Sequence, residues 1–203
     1  MKRIITIQHC QSEHHVNGMA GSWNDWNLTE LGREQARRIG ERLGAELADR
    51  SVKIYSSDLK RAAQTAAPLA ERLGIEVEYR RELRERSHGP SSMGKTGRWF
   101  RENQGRDRMV DDRPLPGSET RREVYQRLLP ICREALDRPE DTVVLVSHGG
   151  TLMVWNILWL GLPPESMEHC SIRGTAGAIG EFDVYDGWSR RILRIGDLSY
   201  IRE

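Results

Sequence analysis

The sequence predicts a three-layer α/β/α sandwich with a mostly parallel central sheet. Two observations lead there. Short apolar, β-branched runs alternate with amphipathic helical patterns, the arrangement of strands joined by crossover helices. Two further runs near the end flank Asp186-Gly187, a hairpin signal. A single domain over residues 1–203 is the simplest partition, and a chain of 203 residues buries a sizeable core.

Taken in order, Ile4-Ile5-Thr6-Ile7 is a short apolar run that stops at Gln8-His9-Cys10. Such a run suits a strand covered on both faces. Ligands bind at the carboxyl ends of strands in these sheets, so His9 falls where a reactive side chain is expected. Gly18 to Asn27 is a loop whose tryptophans are read as pins. Thr29 is a good N-cap for a helix with Ala36, Ile39, Leu43 and Leu47 along one face. Val52–Tyr55 is a second strand, followed by Ser56-Ser57-Asp58 with Arg61 one turn on. Ser57 is expected to cap a helix striped by Leu59, Ala62, Ala66, Leu69 and Leu73, with Asp58 in its first turn and a kink at Pro68.

Ile75–Tyr79 alternates like a short strand. Residues 86–117 lose all periodicity and are long for a plain connection, so they are expected to form an insertion covering the site, with a helical turn or two at 98–104. Ser118 is expected to begin a helix striped by Val124, Leu128, Ile131 and Ala135, kinked at Pro130. Thr142–Ser147 is a third buried strand and ends in His148-Gly149-Gly150. Thr151–Leu160 is apolar almost all round, as a buried helix is. Ala178–Tyr185 and Arg191–Ile195 form the closing hairpin.

Composition narrows the function. With 31 basic and 30 acidic residues, the chain has no charge excess to favour nucleic acid or a membrane surface. Cys10, Cys132 and Cys170 are odd in number and widely spaced, which predicts neither a disulfide framework nor a paired-cysteine metal site. No cofactor is expected. The first apolar run is too short for a signal peptide, and no stretch approaches the roughly 18 apolar residues of a membrane span, so a cytoplasmic protein is expected. Apolar helix faces leave a homodimer open.

Parallel neighbours would bring His9, Arg61 and His148 to one rim. Singly, a strand-end histidine is more often structural and a helix arginine more often a surface charge. Together, in order, they carry a resemblance. Gln8-His9-Cys10-Gln11-Ser12-Glu13 looks like an R-H-G-x-[ST]-x opening, and Ser56 to Ala66 is a near-complete match to S-S-x-L-x-R-A-x-Q-T-A. Val146-Ser147-His148-Gly149-Gly150 fits a second histidine motif, with weaker agreement at Leu28–Ala36 and Leu115–Glu119. The chain thereby resembles the histidine phosphatases, also called the phosphoglycerate mutase-like superfamily.

The resemblance implies roles by position. His9 matches the nucleophile that takes the phosphoryl group, Arg61 and His148 match phosphate-binding side chains, and Leu83-Arg84-Glu85 matches an L-x-E that makes Glu85 the proton donor. Gln8, Ser12, His15, Gly21, Ser22 and Gly149 fall at substrate-binding positions, and no metal is required. The chemistry stands independently. A phosphate dianion needs cations and N–H donors where charge moves in the transition state. A neutral imidazole splits one hard displacement into two easier ones. The N–H groups of Gly149 and Gly150, opening a helix, are expected to face the same anion.

The departures are as informative. Gln8 replaces the arginine of the opening motif and carries neither charge nor guanidinium fork. Its neutrality also removes one influence against protonation of His9, which is expected to rise in proton affinity. Cys10 replaces a glycine, His14-His15 stand at a Trp-Asn pair, and His88 takes an aromatic position. The expected activity is hydrolysis of a small phosphate monoester, with a protonated His14, His15 or His88 supplying the lost charge. The alternative is a catalytically weakened phosphate-ligand binding or regulatory protein. A mutase is less favoured, because the chain is short for one and Gly21-Ser22 stand where mutases tend to carry Thr-Gly. His9, Cys10, His14 and His15 have zinc-type side chains, but their spacing is no established zinc pattern.

Overall fold

A computed structural model describes residues 2–202. Six strands form one sheet in the order β3-β2-β4-β1-β5-β6. β1 (Arg3–Gln8), β2 (Val52–Ser56), β3 (Val77–Tyr79) and β4 (Thr142–Ser147) run parallel to their neighbours in this set. β5 (Ile179–Tyr185) joins β1 antiparallel, and β6 (Ser189–Asp197) joins β5 antiparallel. Asp186, Gly187 and Trp188 turn this hairpin between the paired Tyr185 and Ser189, with Asp186 and Gly187 at positive φ of 50° and 78°.

Helices cover both faces. α2 (Glu30–Glu46) and α3 (Lys60–Leu73) bury Ala36, Ile39, Leu43, Ala62, Ala66 and Leu69 against Ile5, Ile7, Ile54, Val144 and Val146. α5 (Arg121–Asp137) and α6 (Gly149–Trp159) bury Val124, Leu128, Ile131, Trp155 and Trp159 against Ile4, Tyr55, Val143, Leu145 and Phe182. The strand residues alternate between the two sets, as a period of two dictates. Each fully buried Ile or Leu contributes roughly 1.5–3 kcal/mol of hydrophobic stabilisation. α2 and α3 touch closely at Gly40, where a Cβ would lie 2.7 Å from the Pro68 carbonyl carbon.

Helix starts differ from expectation. Ser57 does not cap α3: Leu59 holds that position without a side-chain bond, and Asp58, before the helix, pairs instead with Arg84 at 2.6 Å. α5 begins at Arg121, capped by Thr120 in a reciprocal box with Glu123, three residues after the expected Ser118. Pro68 and Pro130 lie inside continuous helices. The short helix α1 (Glu13–Asn17) was not foreseen, whereas α6 opens at Gly149, ahead of the apolar stretch from Thr151, as expected of the two glycines. Within residues 86–117, α4 (Gly97–Asn103) and a 3₁₀ turn at Pro90–Ser92 pack on the 18–27 loop through Gly94 N to Asn24 Oδ1 (2.9 Å) and Gly97 N to Gly18 O (2.8 Å). No helix among the described residues is long and apolar enough to cross a membrane.

This topology sets the site. Gln8 is opposite Ser147 and Ser56 is opposite Val146, so β1, β2 and β4 end level with one another. His9, Ser57 and His148 therefore leave the sheet at the same edge.

Candidate active site

His9 is buried at that edge. Its Nδ1 lies 2.8 Å from Cys10 O, and Arg61 Nε donates to its Nε2 at 3.3 Å. A guanidinium only donates, so Nε2 carries the lone pair and the ring proton sits on Nδ1, where the Cys10 carbonyl accepts it. Burial first, and Arg61 second, hold this imidazole unprotonated well below the usual histidine range. The rise expected from losing an arginine at position 8 is thus outweighed. Cys10 turns into the core beneath α2 and α3, and burial pushes its thiol up to about 12, so it is no competing nucleophile.

Arg61, in the first turn of α3, is almost wholly enclosed. Nη1 donates to Asn24 O (2.8 Å) and Nη2 to Ser22 O (2.7 Å). Burial lowers it to about 10, partly offset by Glu85 and Asp25, so it stays a cation at neutral pH. Ser22 is one of two non-glycine residues at positive φ (48°) among the described residues, a conformation that costs on the order of 1 kcal/mol. Its carbonyl holds Arg61, and its hydroxyl accepts from His88 N at 2.8 Å.

His148 caps α6, its ring centroid 5.0 Å from that of His9. Ser57 Oγ accepts from Leu59 N at 3.3 Å and lies 2.8 Å from His148 Nε2. The other ring nitrogen, Nδ1, is buried without a hydrogen-bond partner among the described residues. Burial, with Arg61 and His9 next, keeps this ring neutral too.

Glu85 sits on the N-terminus of α6. Its carboxylate accepts from Arg86 N (2.8 Å), Gly150 N (3.1 Å) and Thr151 N (3.1 Å). The helix end expected to hold the substrate anion is therefore taken, at Gly150, by this side chain. Gly149 remains on the cavity wall.

The cavity, of about 420 Å³, is lined by His9, Arg61, Glu85, Gln8, Gly149 and the Gly21-Ser22 turn. Ser12, His15 and the fully buried His148 do not line it. Ser12 Oγ lies 2.7 Å from His14 Nδ1, Ser12 N donates to His15 Nδ1 at 3.2 Å, and the His15 ring stacks on His9 at 5.4 Å. His14 does line it, but burial, then His15 and Arg61, bring it down to about 3. Burial likewise lowers His15 and His88, the latter stacked on Phe100 at 4.0 Å. At all three positions burial works against the protonated histidine expected to replace the lost arginine. Sequence reasoning missed Arg86, Asp107, Arg121 and Arg173 on the wall. Only the Gly-rich run Arg173-Gly174-Thr175-Ala176-Gly177 was a visible signal for the last.

His9, His14 and His15 offer ring nitrogens within 4.8 Å of one another. They make a poor cation site. Arg61 already puts a positive charge on the His9 lone pair, and His15 Nδ1 is committed to a backbone amide.

The sequence matches the profile of the histidine phosphatase superfamily (branch 1) over residues 4–196. It is 32% identical over 189 residues to a glucosyl-3-phosphoglycerate phosphatase of Mycolicibacterium vanbaalenii, covering 82% of this chain and 77% of that one. It is also 32% identical over 178 residues to a 2,3-bisphosphoglycerate-dependent phosphoglycerate mutase of Methylobacterium, covering 82% and 85%. Chain length therefore does not separate the two activities, contrary to the expectation from sequence. The structure of mycobacterial glucosyl-3-phosphoglycerate phosphatase with inorganic phosphate superposes over 100% of both chains, with a TM-score of 0.82 at 26% identity. Bacillus stearothermophilus YhfR gives the same TM-score of 0.82 and 26% identity over 100% of both chains. With the profile spanning nearly its whole length, the chain belongs to the histidine phosphatase superfamily, branch 1.

Proposed function

We propose that the protein is a phosphatase that hydrolyses a small phosphate monoester through a phosphohistidine on His9. The observation that carries this is an unprotonated His9 Nε2, facing the buried Arg61 cation at a cavity that Glu85 also lines. His9 Nε2 attacks phosphorus, the bond to the alcohol oxygen breaks, and a proton carried by Glu85 goes to that oxygen. Glu85 then takes a proton from water, the resulting hydroxide attacks phosphorus, the P–N bond breaks and inorganic phosphate leaves. Arg61 and His148 are the side chains that bind the phosphoryl oxygens in this reading. The names of the phosphatase relatives support hydrolysis.

A second reading, phosphate-ligand binding with little or no turnover, is favoured by Gln8 at the arginine position of the opening motif. Phosphate release from a panel of monoesters, compared between wild type and His9→Ala, separates them. Release that depends on His9 supports the phosphatase. Equal release by both proteins overturns it, and tight ligand binding without release selects the second reading. Conversion of 3-phosphoglycerate to 2-phosphoglycerate would instead mark a mutase.

A further inference from the structure

The cavity wall holds four arginines, and three are committed. Arg61 is fixed by the Ser22 and Asn24 carbonyls. Arg86 pairs with Asp107 at 2.9 Å and donates to Glu119 O at 2.7 Å. Arg121 donates to Asp107 O at 2.7 Å and lies 3.4 Å from its carboxylate. Arg173 is exposed at the rim, and its side chain makes no hydrogen bond or ion pair among the described residues.

A separate observation points to the same place. Gln8 Oε1 is buried without a hydrogen-bond partner among the described residues. A buried acceptor left unpaired is costly, and in native proteins it calls for a donor. The chain crosses directly over this oxygen at Gly174, where a Cβ would lie only 3.5 Å from Oε1 and 3.3 Å from the Ala178 Cβ. The residue before that crossing is Arg173. The one wall arginine without a partner among the described residues is thus tethered one residue from an amide oxygen that lacks a donor.

We propose that Arg173 replaces the arginine missing at position 8, its guanidinium folding over Gly174 to donate to Gln8 Oε1 and to a phosphoryl oxygen in the cavity. A guanidinium has five N–H donors in a planar fork, so it serves the amide and the anion at once, which an ammonium on a flexible stem does less well. The charge of the family's opening motif is then kept while its point of attachment moves from β1 to the loop before β5. This inference rests on the phosphate-handling site proposed above, but it concerns which cation holds the anion and not whether turnover follows.

The test is calorimetric titration of inorganic phosphate into wild type, Arg173→Met, Arg173→Lys and the double variant Arg173→Met with Gln8→Arg. Arg173 is exposed, so its loss should leave thermal unfolding unchanged, which the same samples check. Arg173→Met is expected to weaken phosphate binding roughly 10- to 100-fold, the usual worth of one charge-assisted contact. Arg173→Lys should recover only part of this, and Gln8→Arg in the Met background most of it. Phosphate affinity unchanged in Arg173→Met, or undetectable in wild type, overturns the inference. So does a loss that Gln8→Arg fails to recover. These results are independent of catalysis: monoester hydrolysis that ignores His9 would sink the phosphatase reading while leaving the Arg173 result standing.

Discussion

Acidification from pH 7 to pH 5 should remove about 4 kcal/mol of stability through two rings, His9 and His148. Both are enclosed, and burial with Arg61 close by depresses their proton affinity well below the ordinary value of 6.5. In the unfolded chain each titrates near 6.5. Below that pH the unfolded state takes up protons that the folded state refuses, so stability is full above 6.5 and falls as pH drops toward the folded values. For a ring that stays neutral in the folded chain, the loss between pH 7 and pH 5 is about 2 kcal/mol, and two rings double it. In a chain of this size each kcal/mol moves Tm by about 2–4 °C, so Tm should fall by roughly 8–16 °C. His14, brought down to about 3, acts in the same direction. Carboxylates such as Asp58, lowered from 3.8 by the Arg84 hydrogen bond, lose their contribution only at lower pH. The assay is thermal unfolding at constant ionic strength, with His148→Asn expected to flatten the slope markedly. A wild-type Tm that stays level from pH 7 to pH 5 would refute the buried-neutral assignment.

Other perturbations probe separate parts of the site. Glu85→Gln should reduce turnover of alkyl phosphates by a hundred- to ten-thousandfold (roughly) but hydrolysis of p-nitrophenyl phosphate far less, because that leaving group needs no proton; equal losses on both substrates would remove Glu85 from proton transfer. Ser57→Ala strips the hydroxyl from His148 Nε2, leaving both ring nitrogens unpaired, and should cost about 1–3 kcal/mol in urea unfolding. Gly32→Ala would place a Cβ 1.8 Å from the Gln11 carbonyl oxygen, so a destabilisation of at least about 1–3 kcal/mol is expected in the same measurement.

The sheet and its helices were legible because each buried strand is a continuous apolar run and each crossover helix has a single apolar stripe. The gathering of His9, Arg61 and His148 was legible for a related reason: the three motifs end β1, open α3 and end β4, and parallel strands deliver their ends to one edge. Local signals failed where a side chain had a better use elsewhere. Ser57 and Ser118 are good cap residues by type, yet the first serves His148 and the second closes a turn by donating to Leu115 O at 2.7 Å. The one aliphatic residue of α1, Val16, is exposed, so no hydrophobic period could announce the helix. The seating of Glu85 on α6 and the passage of Gly174 over Gln8 join residues far apart in the chain, which no spacing rule reaches.

The central claim is that His9 carries the phosphoryl group. Rapid acid-free quenching of the protein during turnover of a monoester, followed by peptide mass spectrometry, should find one phosphoryl group on the peptide containing His9, and none in His9→Ala. A phosphoryl group on another residue, or turnover by wild type that is matched by His9→Ala, would contradict the account.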